Sequence, residues 1–256
     1  MGFASTTFDF KKTFTKFMIS NAKGFLRNSS LGPILLACKE IVRGLKGGDF
    51  SQFGEQGLIS SLIPSTPGSY LDIGSGRPVS GSNTYRLYKL GWYGILVDPI
   101  RTNFLLSKTV RPRDRSFNSL VGPGGSALFY EFFPYEYSTA SKIEADKLTA
   151  KSPSVAKLLR TYNIDSVPAS YFFGMLPKKD YVFLNVDVEG FDLQVLESLD
   201  LRENRPDLIC VEEWEFIEAK PGPIRKFLEN SGYEFVSRVG VSSFYKRTWF
   251  GGGGGI

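Results

Sequence analysis

Apolar positions fall at helical spacing early in the chain and change to short solid runs from residue 70 onward. Pro33 followed by Ile34, Leu35, Cys38, Ile41, Val42 and Leu45, with Gly47-Gly48 as a stop, predicts one amphipathic helix. A second stripe, Leu58, Ile59, Leu62 and Ile63, ends at Pro64. Strand-like runs then appear at Tyr70–Ile73, Gly94–Val97, Phe117–Val121, Tyr181–Val186 and Leu208–Val211. They alternate with helix-like segments at Thr84–Leu90, Ile100–Lys108 and Leu193–Leu199. Strands apolar on both faces, separated by helices, predict an α/β fold with a mostly parallel sheet sandwiched by helices. Ala127–Phe133 reads as an extra strand, and Tyr233–Arg238 with Val241–Arg247 around Gly240 reads as a closing antiparallel hairpin. Tyr137–Leu176 carries no clear pattern.

Composition narrows the chemistry. The 256 residues are 42% apolar, 22% charged and 14% aromatic, which excludes wholesale disorder and a disulfide-knit miniprotein. The longest apolar run, Ile34 to Cys38, is far short of the roughly 18 residues that cross a bilayer. There is no histidine, so imidazole bases, His-containing triads and His metal ligands are all absent. Cys38 and Cys210 have no C-x-x-C spacing and read as small buried apolar residues in a reducing compartment.

The net charge of +5 is concentrated: residues 1–48 carry eight bases against two acids, leaving the rest at −1. The body therefore needs no nucleic-acid partner. The expected organisation is a basic, partly helical extension over 1–48, a main domain over 49–250, and a flexible Gly-rich tail over 251–256. The N-terminal stretch has no apolar core of signal-peptide type, so a cytoplasmic protein is expected. Met1-Gly2 with Thr6 fits a myristoylation pattern, and peripheral membrane contact through the basic arm is the alternative to a docked or solvated arm.

The first strand of the sheet ends in Asp72-Ile73-Gly74-Ser75-Gly76, two glycines and an acid where α/β sheets bind nucleotides. Asp98 closes the second strand, and an acid there can accept both hydroxyls of a ribose. The third glycine of a dinucleotide fingerprint would fall at Val79, and no G-K-[ST] occurs, so phosphate cradles are poorly supported. An adenosine ligand lacking a phosphate suggests S-adenosylmethionine, whose cationic groups suit an acidic edge. Asn185-Val186-Asp187-Val188-Glu189-Gly190-Phe191-Asp192 follows the strand expected beside the first, and Leu208–Val211 delivers Glu212, Glu213 and Trp214 to the same edge. Helix capping is the competing reading for Glu189 and Asp192.

Ser51-Gln52-Phe53-Gly54-Glu55-Gln56, Tyr70–Gly76, Ser82-Asn83-Thr84, Gly91-Trp92 to Pro99, and Asn185–Phe191 together resemble the FkbM family of S-adenosylmethionine-dependent methyltransferases. The resemblance implies a Rossmann-like class I methyltransferase with a seven-stranded sheet that methylates a hydroxyl, commonly on a sugar or secondary metabolite. It implies that Asp72, Gly74 and Gly76 form the cofactor loop, that Asp98 holds the ribose, and that Asp187 and Glu189 flank the transferred methyl. The candidate cofactor contacts are thus Asp72, Gly74, Ser75, Gly76, Asn83, Asp98, Asn118 and Asp187, and the candidate catalytic residues are Asp187, Glu189 and Glu212. A hydroxyl of pKa about 16 is not fully deprotonated by a carboxylate of about 4. Either the proton passes to Asp187 or Glu189 during attack, or Asp187, Glu189 and Glu212 hold a divalent cation that acidifies the hydroxyl. A hydride-transfer enzyme using NAD, and a non-catalytic adenosine-nucleotide-binding or scaffold module, are the competing readings.

Overall fold

The computed structural model describes residues 32–151, 155–214 and 221–248. In chain order its strands are β1 (Ser69–Ile73), β2 (Tyr93–Val97), β3 (Arg115–Phe117), β4 (Leu120–Val121), β5 (Gly125–Phe133), β6 (Lys157–Val167), β7 (Val182–Val186), β8 (Leu208–Glu212), β9 (Tyr233–Val239) and β10 (Ser242–Arg247). The helices are α1 (Gly32–Lys46), α2 (Glu55–Leu62), α3 (Tyr85–Lys89), α4 (Arg101–Val110), α5 (Lys142–Lys151), α6 (Ala169–Phe173), α7 (Asp192–Glu197) and α8 (Pro223–Asn230). Seven strands form one sheet in the order β3-β2-β1-β7-β8-β10-β9, parallel except for β10, which runs antiparallel to both neighbours. The chain builds outward from β1 and then returns to lay β7 on its other side, which opens a crevice at the carboxyl ends of β1 and β7.

Both faces of the sheet are covered, which is why its strands read as solid apolar runs. On one face Leu71, Ile73, Ile95, Val97, Leu184 and Val186 pack with Val195 and Leu196 of α7. On the other Tyr70, Phe183, Leu208 and Cys210 pack with Ile59 of α2 and Leu87 of α3. Gly94 exists for this packing: a Cβ there would stand 1.8 Å from the Tyr70 ring. Beneath that ring lies a buried polar chain. The Arg111 guanidinium, wholly buried, pairs with Asp114 at 2.8 Å and donates to the Tyr70 hydroxyl and, at 3.0 Å, to Thr84 Oγ1. Thr84 Oγ1 in turn donates to Asp72.

Two expectations need correction. The run Phe117–Val121 is not one strand: Asn118 donates to the carbonyls of Asp98 (3.0 Å) and Pro99 (2.8 Å), and the chain leaves the main sheet there. Leu120-Val121 instead pair with Ser166-Val167 of β6, in a second sheet of order β4-β6-β5. The extra strand expected at Ala127–Phe133 is β5, paired antiparallel with β6. The unpatterned stretch Tyr137–Leu176 supplies α5, β6 and α6. β6 is exposed over its first half, and only Tyr162, Ile164 and Ser166 turn inward in alternation, too short a run to set a clear period. Second, Cys38 is exposed; only Cys210 is buried.

α1, placed by the sequence in an N-terminal extension, is tied to the domain by Lys89 Nζ, which donates to Gly44 O at 3.2 Å, and by a buried carboxylate. Glu40, 2% exposed, accepts from the backbone N–H groups of Val79 (3.1 Å) and Ser80 (2.8 Å) and from Ser80 Oγ (3.0 Å). Ile34, Leu35, Ile41, Val42 and Leu45 face outward. The myristoylation pattern and the first 31 residues of the basic arm lie outside the described residues, as does the Gly-rich tail. Among the described residues no helix is long and apolar enough to cross a membrane.

Candidate active site

β1 and β7 are in register so that Asp72 pairs with Asn185 and Ile73 with Val186, and the loops after them leave the sheet side by side. Asp187 N–H donates to Ile73 O at 3.0 Å, which prolongs the pairing into the loops. Gly74 makes this approach feasible. It has φ 74°, and a Cβ on it would stand 1.8 Å from Asp187 O. Gly76 also has a positive φ, 55°, but a Cβ there meets nothing nearer than Gly74 O at 4.0 Å. Both Ala substitutions incur the left-handed penalty of about 1–2 kcal/mol, and only Gly74→Ala must also push two strand ends apart. Thermal denaturation should therefore find Gly74→Ala several degrees below Gly76→Ala; equal midpoints would refute the close-approach role.

A cavity of 610 Å³ opens at these loops, within the usual 300–1,000 Å³ of ligand sites. Gly74, Ser75, Gly76, Asp98, Asp187, Glu189 and Glu212 all line it. The second sheet and the segment after it close the opposite wall with Phe129, Phe133, Tyr135 and Tyr137, while Phe191 and Trp214 add further aromatic surface. Gln52 joins from the N-terminal side.

Asp98 is 4% exposed and holds the loops. Its Oδ2 accepts from Gly76 N–H (2.9 Å) and Asn103 Nδ2 (3.1 Å), and its Oδ1 accepts from Ile100 N–H (2.7 Å). Burial pushes its carboxyl up to about 7, against the pull of these donors. Asn103 was not singled out from sequence; its signal is a spacing of five from Asp98 onto the first turn of α4.

Three of the expected cofactor contacts stand elsewhere. Asp72 is 1% exposed and sits behind the loop, its Oδ1 accepting from Asn185 Nδ2 at 2.9 Å and its Oδ2 from Thr84. Burial raises its carboxyl, and the Arg111 charge and these donors oppose the rise. Asn83 donates to Asn185 Oδ1 at 3.0 Å, extending the same chain. Asn118 is occupied with the Asp98 and Pro99 carbonyls. None of the three lines the cavity. They brace its floor.

The turn after β7 is strained at the cavity edge: Glu189 has φ 55° and Gly190 φ 85°. Asp192 holds that turn, accepting from Val188 N–H (3.2 Å) and Gly190 N–H (3.0 Å), and of the two acids it is Asp192 that stands in the first turn of α7, after Phe191 at the N-cap. The Glu189 carboxylate instead joins Asp187 and Glu212, with oxygens of all three within 4.8 Å of one another. Burial first, and then the charge of neighbouring acids, raises all three carboxyls well above the ordinary range. Glu212, at the end of β8, is 6% exposed and its Oε2 has no hydrogen-bond partner.

Val79 is fully buried and its N–H is already taken by Glu40, as is that of Ser80. Both backbone N–H groups thus already have a buried carboxylate as their acceptor.

The family model described as "Methyltransferase FkbM domain" matches residues 72–235. Among solved structures the chain is similar to a TehB-like SAM-dependent methyltransferase from Corynebacterium glutamicum, with 13% identity over 86% of this chain and 100% of that one and a TM-score of 0.45. It is also similar to a precorrin-6y C5,15-methyltransferase from Geobacter metallireducens, with 13% identity, 78% and 90% coverage and a TM-score of 0.40. No curated protein sequence matches.

Proposed function

The chain belongs to the FkbM methyltransferase family, and from that premise we propose that it moves the methyl group of S-adenosylmethionine onto a hydroxyl of a carbohydrate or secondary-metabolite acceptor. The observation that carries this reading is the single cavity shared by the glycine loop, Asp98 and the three-acid cluster. The residues suit the cofactor. Gly74 and Gly76 bring bare backbone to the cavity, Asp98 at the end of β2 lines it as a ribose acceptor would, and the acidic lining complements the cofactor's ammonium group. Bound there, S-adenosylmethionine supplies an electrophilic methyl group.

The aromatic wall supports a carbohydrate or other ringed acceptor, because Phe133, Tyr135 and Trp214 line the cavity with ring surface whose negative quadrupole attracts polarised C–H groups. With the cofactor held there, attack of an acceptor hydroxyl on its methyl carbon would leave the electron pair of the broken carbon–sulfur bond on sulfur, and this chain's part would be to position the hydroxyl and take its proton. The hydroxyl proton passes to a carboxylate oxygen of Asp187 or Glu189. The walls hold oxygen and methyl in line, which replaces a bimolecular encounter with a positioned one.

The test is a thermal-shift comparison of S-adenosylhomocysteine with NAD. At a hundred times its dissociation constant a ligand adds about 2.7 kcal/mol, roughly 5–10 °C for a chain of this size. A rise with S-adenosylhomocysteine and none with NAD is expected; the reverse pattern removes the proposal. Affinity for S-adenosylhomocysteine without turnover of any hydroxylated acceptor would favour a non-catalytic module.

A further inference from the structure

We propose that Asp187, Glu189 and Glu212 form a binding site for one divalent cation of the Mg²⁺/Mn²⁺ class, which anchors the acceptor hydroxyl beside the methyl donor. The inference deepens the methyl-transfer reading and rests on it only for the role of the ion. Each of the three residues offers a carboxylate oxygen, and these oxygens lie within 4.8 Å of one another. Oxygens bound to one ion at about 2.0–2.1 Å stand at most about 4.2 Å apart, so a spread within 4.8 Å needs side-chain adjustments under about 1 Å, and no strand movement, to share an ion.

A second observation is independent of the clustering. Glu212 is more than nine-tenths buried, lines the cavity, and leaves Oε2 without a hydrogen-bond partner. A buried carboxylate oxygen in that condition is costly unless a ligand satisfies it. Protein cations do not supply the need: among the described residues none of the three carboxylates is in an ion pair, and the one base lining the cavity, Arg77, is 2.9 Å from Glu136. The donors are all hard oxygens in a chain with no histidine, which selects Mg²⁺, Mn²⁺ or Ca²⁺ over Zn²⁺ or Cu²⁺.

The placement also suits the chemistry. The cluster is built from the ends of β7 and β8, whereas the glycine loop and Asp98 belong to β1 and β2, so the ion would stand toward the acceptor end of the cavity. A hydroxyl on the ion would become more acidic and be fixed in direction. A carboxylate oxygen of Asp187 not engaged with the ion would take its proton as the oxygen–carbon bond forms.

The experiment uses the full chain stripped with EDTA, titrated with Mn²⁺ and followed by Mn²⁺ electron paramagnetic resonance and by thermal shift, with S-adenosylhomocysteine binding measured in parallel. Expected are one bound Mn²⁺ per chain, competed by Mg²⁺, and at least tenfold weaker binding in both Glu212→Gln and Glu189→Gln. Both variants should keep the thermal shift with S-adenosylhomocysteine, which shows that they fold. No Mn²⁺ binding to the parent chain at millimolar metal overturns the site, as does unchanged affinity in both variants. If no metal binds and S-adenosylmethionine binds far more tightly than S-adenosylhomocysteine, the acids serve the sulfonium instead. Mn²⁺ binding without any S-adenosylhomocysteine binding would keep the site and refute the methyl-transfer reading.

Discussion

Replacing Arg111 by methionine is expected to destabilise the protein by about 3–5 kcal/mol, a fall in thermal midpoint of roughly 6–20 °C at 2–4 °C per kcal/mol. Arg111 is 0% exposed and pairs with an equally buried Asp114, while its other nitrogens serve the Tyr70 hydroxyl and Thr84. Methionine fills much of the volume but supplies no charge, so Asp114 is left as an uncompensated buried anion and Asp72 loses the positive charge that opposes its desolvation. The gain from the intact pair over apolar residues is small; the large cost lies in breaking it on one side. The double variant Arg111→Met/Asp114→Asn should accordingly be less destabilised than the sum of the two single variants, by 1 kcal/mol or more on the scale usual for contacting residues. Additive losses in chemical denaturation would show that the pair is not the unit that matters. Arg111→Lys tests geometry separately, since an ammonium keeps the charge but cannot span Asp114, Tyr70 and Thr84 at once.

Asp187→Asn should lower kcat/KM by about 10²–10⁴-fold, the range for loss of a positioned proton acceptor, while S-adenosylhomocysteine affinity changes by only a few-fold. The substitution keeps shape and one oxygen at the end of β7, and the main-chain contact of Asp187 N–H to Ile73 O is untouched. What disappears is a carboxylate able to receive the acceptor's proton, in a cluster where Glu189 and Glu212 remain. Single-turnover methyl transfer together with a binding isotherm separates the two effects. A loss below tenfold would remove Asp187 from the chemistry, and a parallel collapse of cofactor affinity would make it a binding residue.

The sheet was legible because its strands are covered on both faces, so Tyr70-Leu71 and Phe183-Leu184 are solid apolar runs whichever way each side chain points. The edge that gathers the acids was legible for a related reason. In a parallel sheet adjacent strands end on the same side, so Asp187 and Glu212 had to be neighbours once β7 and β8 were identified. The direction of individual side chains was less accessible. Asp72, Asn83 and Asn118 have the residue types of ligand contacts, yet their partners are protein atoms fixed by the register of β1 with β7 and by the exit of the chain after β3. Nothing local to Asp72 announces Thr84 and, beyond it, Arg111. The aromatic wall was only half legible: β5, with Phe129 and Phe133, reads as a strand, but its partner β6 is exposed over its first half and the turn carrying Tyr135 and Tyr137 has no period of its own. Gly91-Trp92-Tyr93-Gly94, prominent in the family resemblance, is explained by packing: Trp92 is buried against Tyr181, and Gly94 yields to Tyr70.

The Glu40 carboxylate seated on Val79 and Ser80 has a further consequence. It is a tether into the matched family segment: a helix outside residues 72–235 supplies, from 39 positions upstream, the acceptor for two backbone N–H groups inside them. A shortened chain beginning at Asp49 would leave those two N–H groups without this acceptor, so the first helix belongs in any shorter domain cut from this protein.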